Sequence, residues 1–256
     1  MMRSTATAAT YGPNLGARQR VPELMDEPGI APAALEDALR GIARINAFSL
    51  TAGHLWRRLQ RIARERKLDR LRILHVGCGN ADVTLGVARR ARRSGVKAEL
   101  FGCDRTAVAV EAARERARRL GLQEVLFFQA DALTDDLHGR YDVIVSSLFL
   151  HHLDEAEAVV LLRRLSRMTR HAIVMDDLRR SAFGYWLACW GCRLLTRSPV
   201  VRFDGPASVR SALTAAEFLK LAHAAGLEGV TIERRWPERL TLVWENCAVS
   251  VPEFVR

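Results

Sequence analysis

Leu71-Arg72-Ile73-Leu74-His75-Val76-Gly77-Cys78-Gly79-Asn80-Ala81-Asp82 is the stretch whose reading decides the fold. A short apolar run (Leu71, Ile73, Leu74, Val76) stops at a pair of glycines, and helical spacing begins near Asp82. Strand, glycine turn and helix start, in that order, form the unit with which open α/β sheets hold nucleoside cofactors. Glycine suits the turn because it adopts φ > 0 at little cost and has no Cβ to hold a ligand off the backbone. A dinucleotide fingerprint would need a third glycine at position 82, where the chain has Asp82. A carboxylate facing a pyrophosphate is repulsive, which disfavours NAD. Gly77, Gly79 and Ala81 instead give a glycine–glycine–small pattern, suited to a cofactor that carries no phosphate.

Working outward, two helices are expected upstream, over 33–47 and 53–67, the first with an apolar face of Leu35, Leu39, Ile42 and Ile45. Downstream, strands are expected at 71–76, 98–103, 124–129, 141–147 and 171–176, alternating with helices at 82–94, 106–120 and 154–169. Such alternation implies a mostly parallel sheet that binds ligands outside the carboxyl ends of its strands. Thr214-Ala215-Ala216-Glu217 reads as a capping box for a last helix ending near Gly226. Runs 229–234 and 239–248 read as a terminal hairpin. The expected organisation is a flexible tail (1–30), an N-terminal helical cap (31–68) and a main domain (69–256) with a lid segment at 180–212.

Composition sets outer bounds. The 256 residues suit one α/β domain with additions, and 49% hydrophobic content suits a folded chain without a membrane-length apolar run. Five cysteines, one inside the glycine turn, read as thiols of a reducing, cytoplasmic setting. The net charge of +10 comes almost wholly from arginine, since only Lys67, Lys97 and Lys220 are lysines. Many arginines, such as Arg89, Arg90, Arg118 and Arg119, fall on solvated helix faces, so a nucleic-acid partner is not favoured.

Four segments occur in order at strand–helix spacing: His75–Asp82, Gly-Cys-Asp-Arg (102–105), Gln-Ala-Asp-Ala (129–132) and Tyr-Asp-Val-Ile-Val-Ser-Ser-Leu-Phe-Leu-His-His-Leu (141–153). Together they resemble the successive motifs of the class I S-adenosylmethionine-dependent methyltransferases. The resemblance covers residues 68–178 best. It implies a Rossmann-like, mostly parallel seven-stranded sheet with helices on both faces, an N-terminal helical cap and a helical lid insertion. The implied cofactor is S-adenosylmethionine.

The resemblance also distributes roles. Gly77, Cys78 and Gly79 form the cofactor turn. Asp104, followed by Arg105, would accept the ribose hydroxyls, or else only cap the next helix. Asp131 and the Ala132 amide would meet the adenine, and Ser147 the methionine end. Similar enzymes carry an acid two residues before the first glycine, where this chain has His75. Imidazole accepts one hydrogen bond but supplies no fixed negative charge, a lack that Asp82 could make good. His151 and His152 follow the fourth strand and are candidates for a general base, His152 being preferred. Asp177, with Asp176, ends the fifth strand at the same edge; a helix cap or a salt bridge to Arg179 or Arg180 is the alternative. No metal site is expected.

Phe183, Trp186, Trp190 and Leu194 recur at helical spacing, widened by Leu187 with Tyr185 and Leu195 beside it, and read either as a hydrophobic roof over substrate or as a core helix. Cys189-Trp190-Gly191-Cys192 lacks a second ligand pair at zinc spacing and reads as structural. The favoured function is methylation of a hydrophobic small molecule, on oxygen of a phenolic or polyketide-type acceptor, with C-methylation as a variant. Pro22–Asp26 and Ser198–Pro206 are similar to stretches of bacterial methyltransferases that accompany polyketide synthases, enzymes of secondary metabolism. The alternatives are an RNA methyltransferase and a non-catalytic binding protein of the same fold.

Overall fold

The computed structural model describes residues 14–27 and 29–246. A sheet of order β3-β2-β1-β4-β5-β7-β6 is built from β1 (Arg70–Val76), β2 (Lys97–Asp104), β3 (Leu126–Gln129), β4 (Tyr141–Ser147), β5 (Thr169–Leu178), β6 (Thr231–Arg235) and β7 (Arg239–Glu245). The first five strands pair in parallel, and β7 lies antiparallel to both β5 and β6. The chain leaves β1 towards β2 and β3, then returns to lay β4 on the other side. The resulting crevice between β1 and β4 is where open sheets bind ligands.

Successive side chains of a strand face opposite sides. Ile73, Val143 and Val174 therefore pack with α2 (Thr51–Glu65), α3 (Asp82–Arg93) and α4 (Ala107–Arg119). Leu74, Ile144, Ile173 and Met175 pack with α5 (Glu155–Met168) and α8 (Ala215–Ala224). Both faces of the sheet are thus covered, which is why β1 and β4 are apolar runs without alternation. Capping boxes start α5 (Asp154, Glu157) and α8 (Thr214, Glu217).

Three helices lie over the carboxyl edge. α1 (Pro32–Phe48) packs with a helical pair, α6 (Ala182–Leu195) and α7 (Pro199–Ser211), around Ala38, Cys192 and Val201. α7 went unanticipated inside the lid segment because Gly205 and Pro206 argue against a helix there; Pro199 at its first turn starts it nonetheless.

The expected flexible tail needs correction over residues 14–27. This segment is a strap tied across the carboxyl edge. Arg18 donates to the carbonyls of Ser211 (2.6 Å), Leu153 (2.7 Å) and His151 (3.1 Å), and Arg20 to that of His152 (3.0 Å). The amides of Leu24 and Met25 donate to the Asp204 carboxylate at 2.8 and 3.1 Å. Orphan carbonyls at the ends of α7 and of the 150–152 turn supply the acceptors, a need that composition does not show. Residues 1–13 of the expected tail, and Cys247 with the end of the expected last strand, lie outside the described residues.

Candidate active site

The carboxyl ends of β1, β2 and β4 open into a cavity of about 570 Å³ beneath α1, α6, α7 and the strap. Its floor is the glycine turn. Gly77 (φ +65°) and Gly79 (φ +53°) both occupy the left-handed region. A Cβ on Gly77 would lie 2.6 Å from the Phe149 ring, whereas one on Gly79 would meet nothing nearer than Leu39 at 3.8 Å. Gly77 is thus needed for packing, and Gly79 leaves space for a ligand. Cys78 is buried between them, its thiol pushed well above its usual value by burial and by Asp104 nearby.

Polar groups meet this floor from four strands. Asp104 Oδ2 accepts the Gly79 amide at 2.9 Å, while Oδ1 accepts the amide (3.1 Å) and hydroxyl (2.9 Å) of Thr106. A carboxylate has about four acceptor positions, so Asp104 retains room on Oδ2 for a ribose hydroxyl rather than for two. Arg105 lines the cavity beside it. Asp131 and Ala132 also line it, with Asp131 Oδ1 accepting the Leu133 amide at 2.8 Å in a tight turn.

His75 is fully buried. Its Nδ1 lies 2.7 Å from Thr84 Oγ1, and its Nε2 has no partner among the described residues. Burial lowers its pKa to about 4, so the imidazole is neutral. Ser147 Oγ, at the end of β4, is likewise buried without a partner. Two unpaired polar groups at one cavity wall are what a polar ligand would satisfy. Asp82, at the start of α3, lines the same wall of the cavity. Burial raises its pKa, which Arg116, Asn46 and Arg239 only partly offset. Arg239 in turn donates to Asn46 Oδ1 at 2.9 Å.

The far wall carries the histidines. His151 is clasped from both sides, Nδ1 lying 2.6 Å from Asp177 Oδ1 and Nε2 3.4 Å from Glu23 Oε1. Burial alone would lower its pKa; the Asp177 charge and hydrogen bond, with those of Glu23, outweigh that and push it up to about 10. The two carboxylates thus favour the protonated ring of His151. His152 is more open, with Nδ1 2.9 Å from Asp26 Oδ2, and both histidines line the cavity. Asp177 does not line the cavity: it stands behind His151 and accepts its ring and its amide (3.0 Å). Asp176 is further removed. It is bound by Arg235, Arg239 (2.7 Å) and Thr241 (2.9 Å), and not by Arg179 or Arg180. Glu23, Asp26 and Asn46 were missed as site residues, although Glu23 and Asp26 are the acids of the Pro22–Asp26 motif.

The expected aromatic roof is the main correction. Phe183, Trp186 and Trp190 lie on the outer face of α6, each more than half exposed, and none reaches the cavity. The inner face offers Leu187, Ala188, Gly191, Cys192 and Leu195. Spacing identified the aromatic stripe correctly, but spacing does not say which stripe turns inward. The basic faces are partly neutralised as well: Arg118 and Arg119 pair with Glu111 and Glu115.

Sheet order, glycine turn and carboxyl-edge cavity define a class I methyltransferase fold, and residues 73–172 match the methyltransferase domain family. The chain is 32% identical over 131 residues to a ubiquinone biosynthesis O-methyltransferase of Alkalilimnicola ehrlichii, covering 50% of each protein. The chain thus spans about half the length of the curated relatives it matches. Among solved structures, a candidate O-methyltransferase from Nostoc punctiforme PCC 73102 superposes with a TM-score of 0.62 at 19% identity, covering 90% of this chain and 65% of that one. Magnesium protoporphyrin IX methyltransferase from Synechocystis PCC 6803 superposes with 0.55 at 17% identity, covering 87% and 91%. At these identities the likeness is one of fold. Among the described residues, no helix is long and apolar enough to cross a membrane.

Proposed function

We propose that this chain is an S-adenosylmethionine-dependent methyltransferase acting on an oxygen of a hydrophobic small molecule of phenolic or polyketide type. The observation that carries the reading is one continuous cavity. It has unpaired buried polar groups at the glycine turn, an apolar wall from α1 and α6, and a histidine pair at its far end. The named relative, an O-methyltransferase, supports oxygen as the acceptor atom.

His75 Nε2, Ser147 Oγ and the Asp82 carboxylate bind the methionine end, Asp104 the ribose and Asp131 the adenine. When bound, S-adenosylmethionine would supply an activated methyl group on a sulfonium, with a neutral thioether as the leaving group. The protein's share is largely alignment, since holding two reactants in line removes most of the entropic barrier. His152 takes the acceptor proton as base, its ring held by Asp26 through Nδ1. His151 and Asp177 position it from behind. The three free thiols of the cavity region fit the reducing, cytoplasmic setting read from composition.

Calorimetric titration with S-adenosylmethionine, with NAD as control, tests the cofactor. Saturable binding of the first alone is expected, followed by methyl transfer to a phenolic acceptor panel. Binding of neither would overturn the reading.

A further inference from the structure

The polar end of the cavity has a property that proton transfer does not use. Glu23, His151 and His152 each offer one ligand atom, and the three atoms lie within 4.8 Å of one another. Both rings present Nε2 to Glu23, and both have Nδ1 on a second carboxylate: His151 on Asp177 at 2.6 Å, His152 on Asp26 at 2.9 Å. A carboxylate behind each imidazole is the arrangement that fixes tautomer and ring orientation in metal sites and raises ligand basicity.

From these contacts we infer that Glu23, His151 and His152 form a two-histidine, one-carboxylate site for a divalent cation of the zinc type. The inference rests on the reading of this cavity as the acceptor site.

Distances decide whether the cluster is close enough. Two ligands at ~2.0–2.1 Å from zinc, at a tetrahedral angle, stand ~3.3 Å apart. His151 Nε2 and Glu23 Oε1 are 3.4 Å apart. His152 Nε2 and Glu23 Oε2 are 3.9 Å apart, so the half-exposed side of the site must close by roughly half an ångström. Charge favours a cation. Glu23, Asp26 and Asp177 are three carboxylates around two imidazoles, with Arg20 turned to Asp154 and Glu157 on the outer side. A cation bound there displaces any proton shared between His151 Nε2 and Glu23.

All three ligands line the cavity, so coordination positions left by the protein face the acceptor. A hydroxyl bound there ionises more readily, because the cation stabilises the oxyanion. In that state His152 is a ligand, and the acceptor proton leaves to solvent. In the metal-free state His152 is the base.

The test uses the full chain after chelator treatment, titrated with Co²⁺ and followed by visible absorption, with Zn²⁺ competition. One equivalent per chain is expected, with the intense bands of a four- or five-coordinate site. His152→Ala should weaken Co²⁺ binding at least ~10-fold, and Asp26→Asn, which leaves every ligand in place, by ~10–100-fold. Cys189→Ser should leave it unchanged. Circular dichroism melting confirms that each variant is folded, and Asp26→Asn carries the test if His152→Ala is not. Absence of stoichiometric Co²⁺ binding, or binding lost in Cys189→Ser and kept in Asp26→Asn, would overturn the assignment. Calorimetry with S-adenosylmethionine is run in parallel. Cofactor binding without Co²⁺ binding sinks the metal site alone; the reverse sinks the methyltransferase reading alone.

Discussion

Asp104 Oδ2 accepts the backbone amide of Gly79 at 2.9 Å, so the end of β2 braces the glycine turn that follows β1. One carboxylate is thereby both a strut and the proposed ribose acceptor. Asp104→Ala should cost about 1–3 kcal/mol of stability through the orphaned amide, together with cofactor affinity. Asp104→Asn keeps an acceptor near Gly79 but loses the charge. It should retain most of the stability while weakening S-adenosylmethionine binding by about tenfold, ~1.4 kcal/mol. Denaturant midpoints and calorimetry on the two variants separate the roles.

The buried His75 makes stability depend on pH. Its pKa falls from 6.5 to about 4 on folding because burial penalises the imidazolium. Above pH 6.5 the ring is neutral in both states and nothing is lost. As pH falls from 6.5 towards 4, the unfolded chain takes up the proton and the folded one does not. That destabilises the fold by about 3 kcal/mol across the window. His75→Gln should remove this component, so the difference between the two stability–pH curves is the measurement. Parallel curves would show that His75 titrates normally in the fold.

Because Trp190 faces outward, Trp190→Ala should leave the acceptor KM unchanged. Gly191, its neighbour, lines the cavity, and a Cβ placed there would meet no atom within 4 Å. Gly191→Leu should therefore fill acceptor space and raise the acceptor KM, with the cofactor's KM unaffected. Steady-state kinetics on both variants decides which face of α6 meets substrate.

Asp176 ties β5 to the antiparallel edge through Arg235, Arg239 and Thr241, and burial would raise its pKa were it not held low by those arginines. Asp176→Ala leaves Arg239, itself 2% exposed, without its salt-bridge partner. A loss of about 3–5 kcal/mol is expected in denaturant unfolding. Asn46 and Asp82 follow Arg239 in the same chain of contacts, so cofactor affinity should fall with it.

The parallel core was legible in the sequence because its signals are local. Leu71–Asp82 encodes a strand, a turn and a helix within twelve residues, and the Thr214–Glu217 capping box starts α8 as read. What sequence left dark depends on contacts between distant segments. Nothing near Glu23 announces His151, which lies over a hundred residues further on, and nothing near Asp176 announces Arg239. The orientation of α6 is the sharpest case. Aromatic side chains suggested burial through hydrophobicity, yet the helix packs on α7 where Cys192 meets Gly205, a Cβ on which would lie 2.3 Å from the Cys192 Sγ. Close approach of two helices favours small residues over large ones at the contact, and the aromatic stripe is left outside.

The strap bears on how the protein is handled. A boundary drawn at residue 30, where composition suggests that structure begins, would cut away Glu23 and Asp26 and leave His151 without one of its two carboxylate partners and His152 without both. Such a shortened protein retains every residue of the sheet and of the glycine turn. Inactivity measured on it would report the missing strap rather than the chemistry of the family. Expression tags belong well upstream of Arg18, and limited proteolysis in this region should be scored as damage to the cavity.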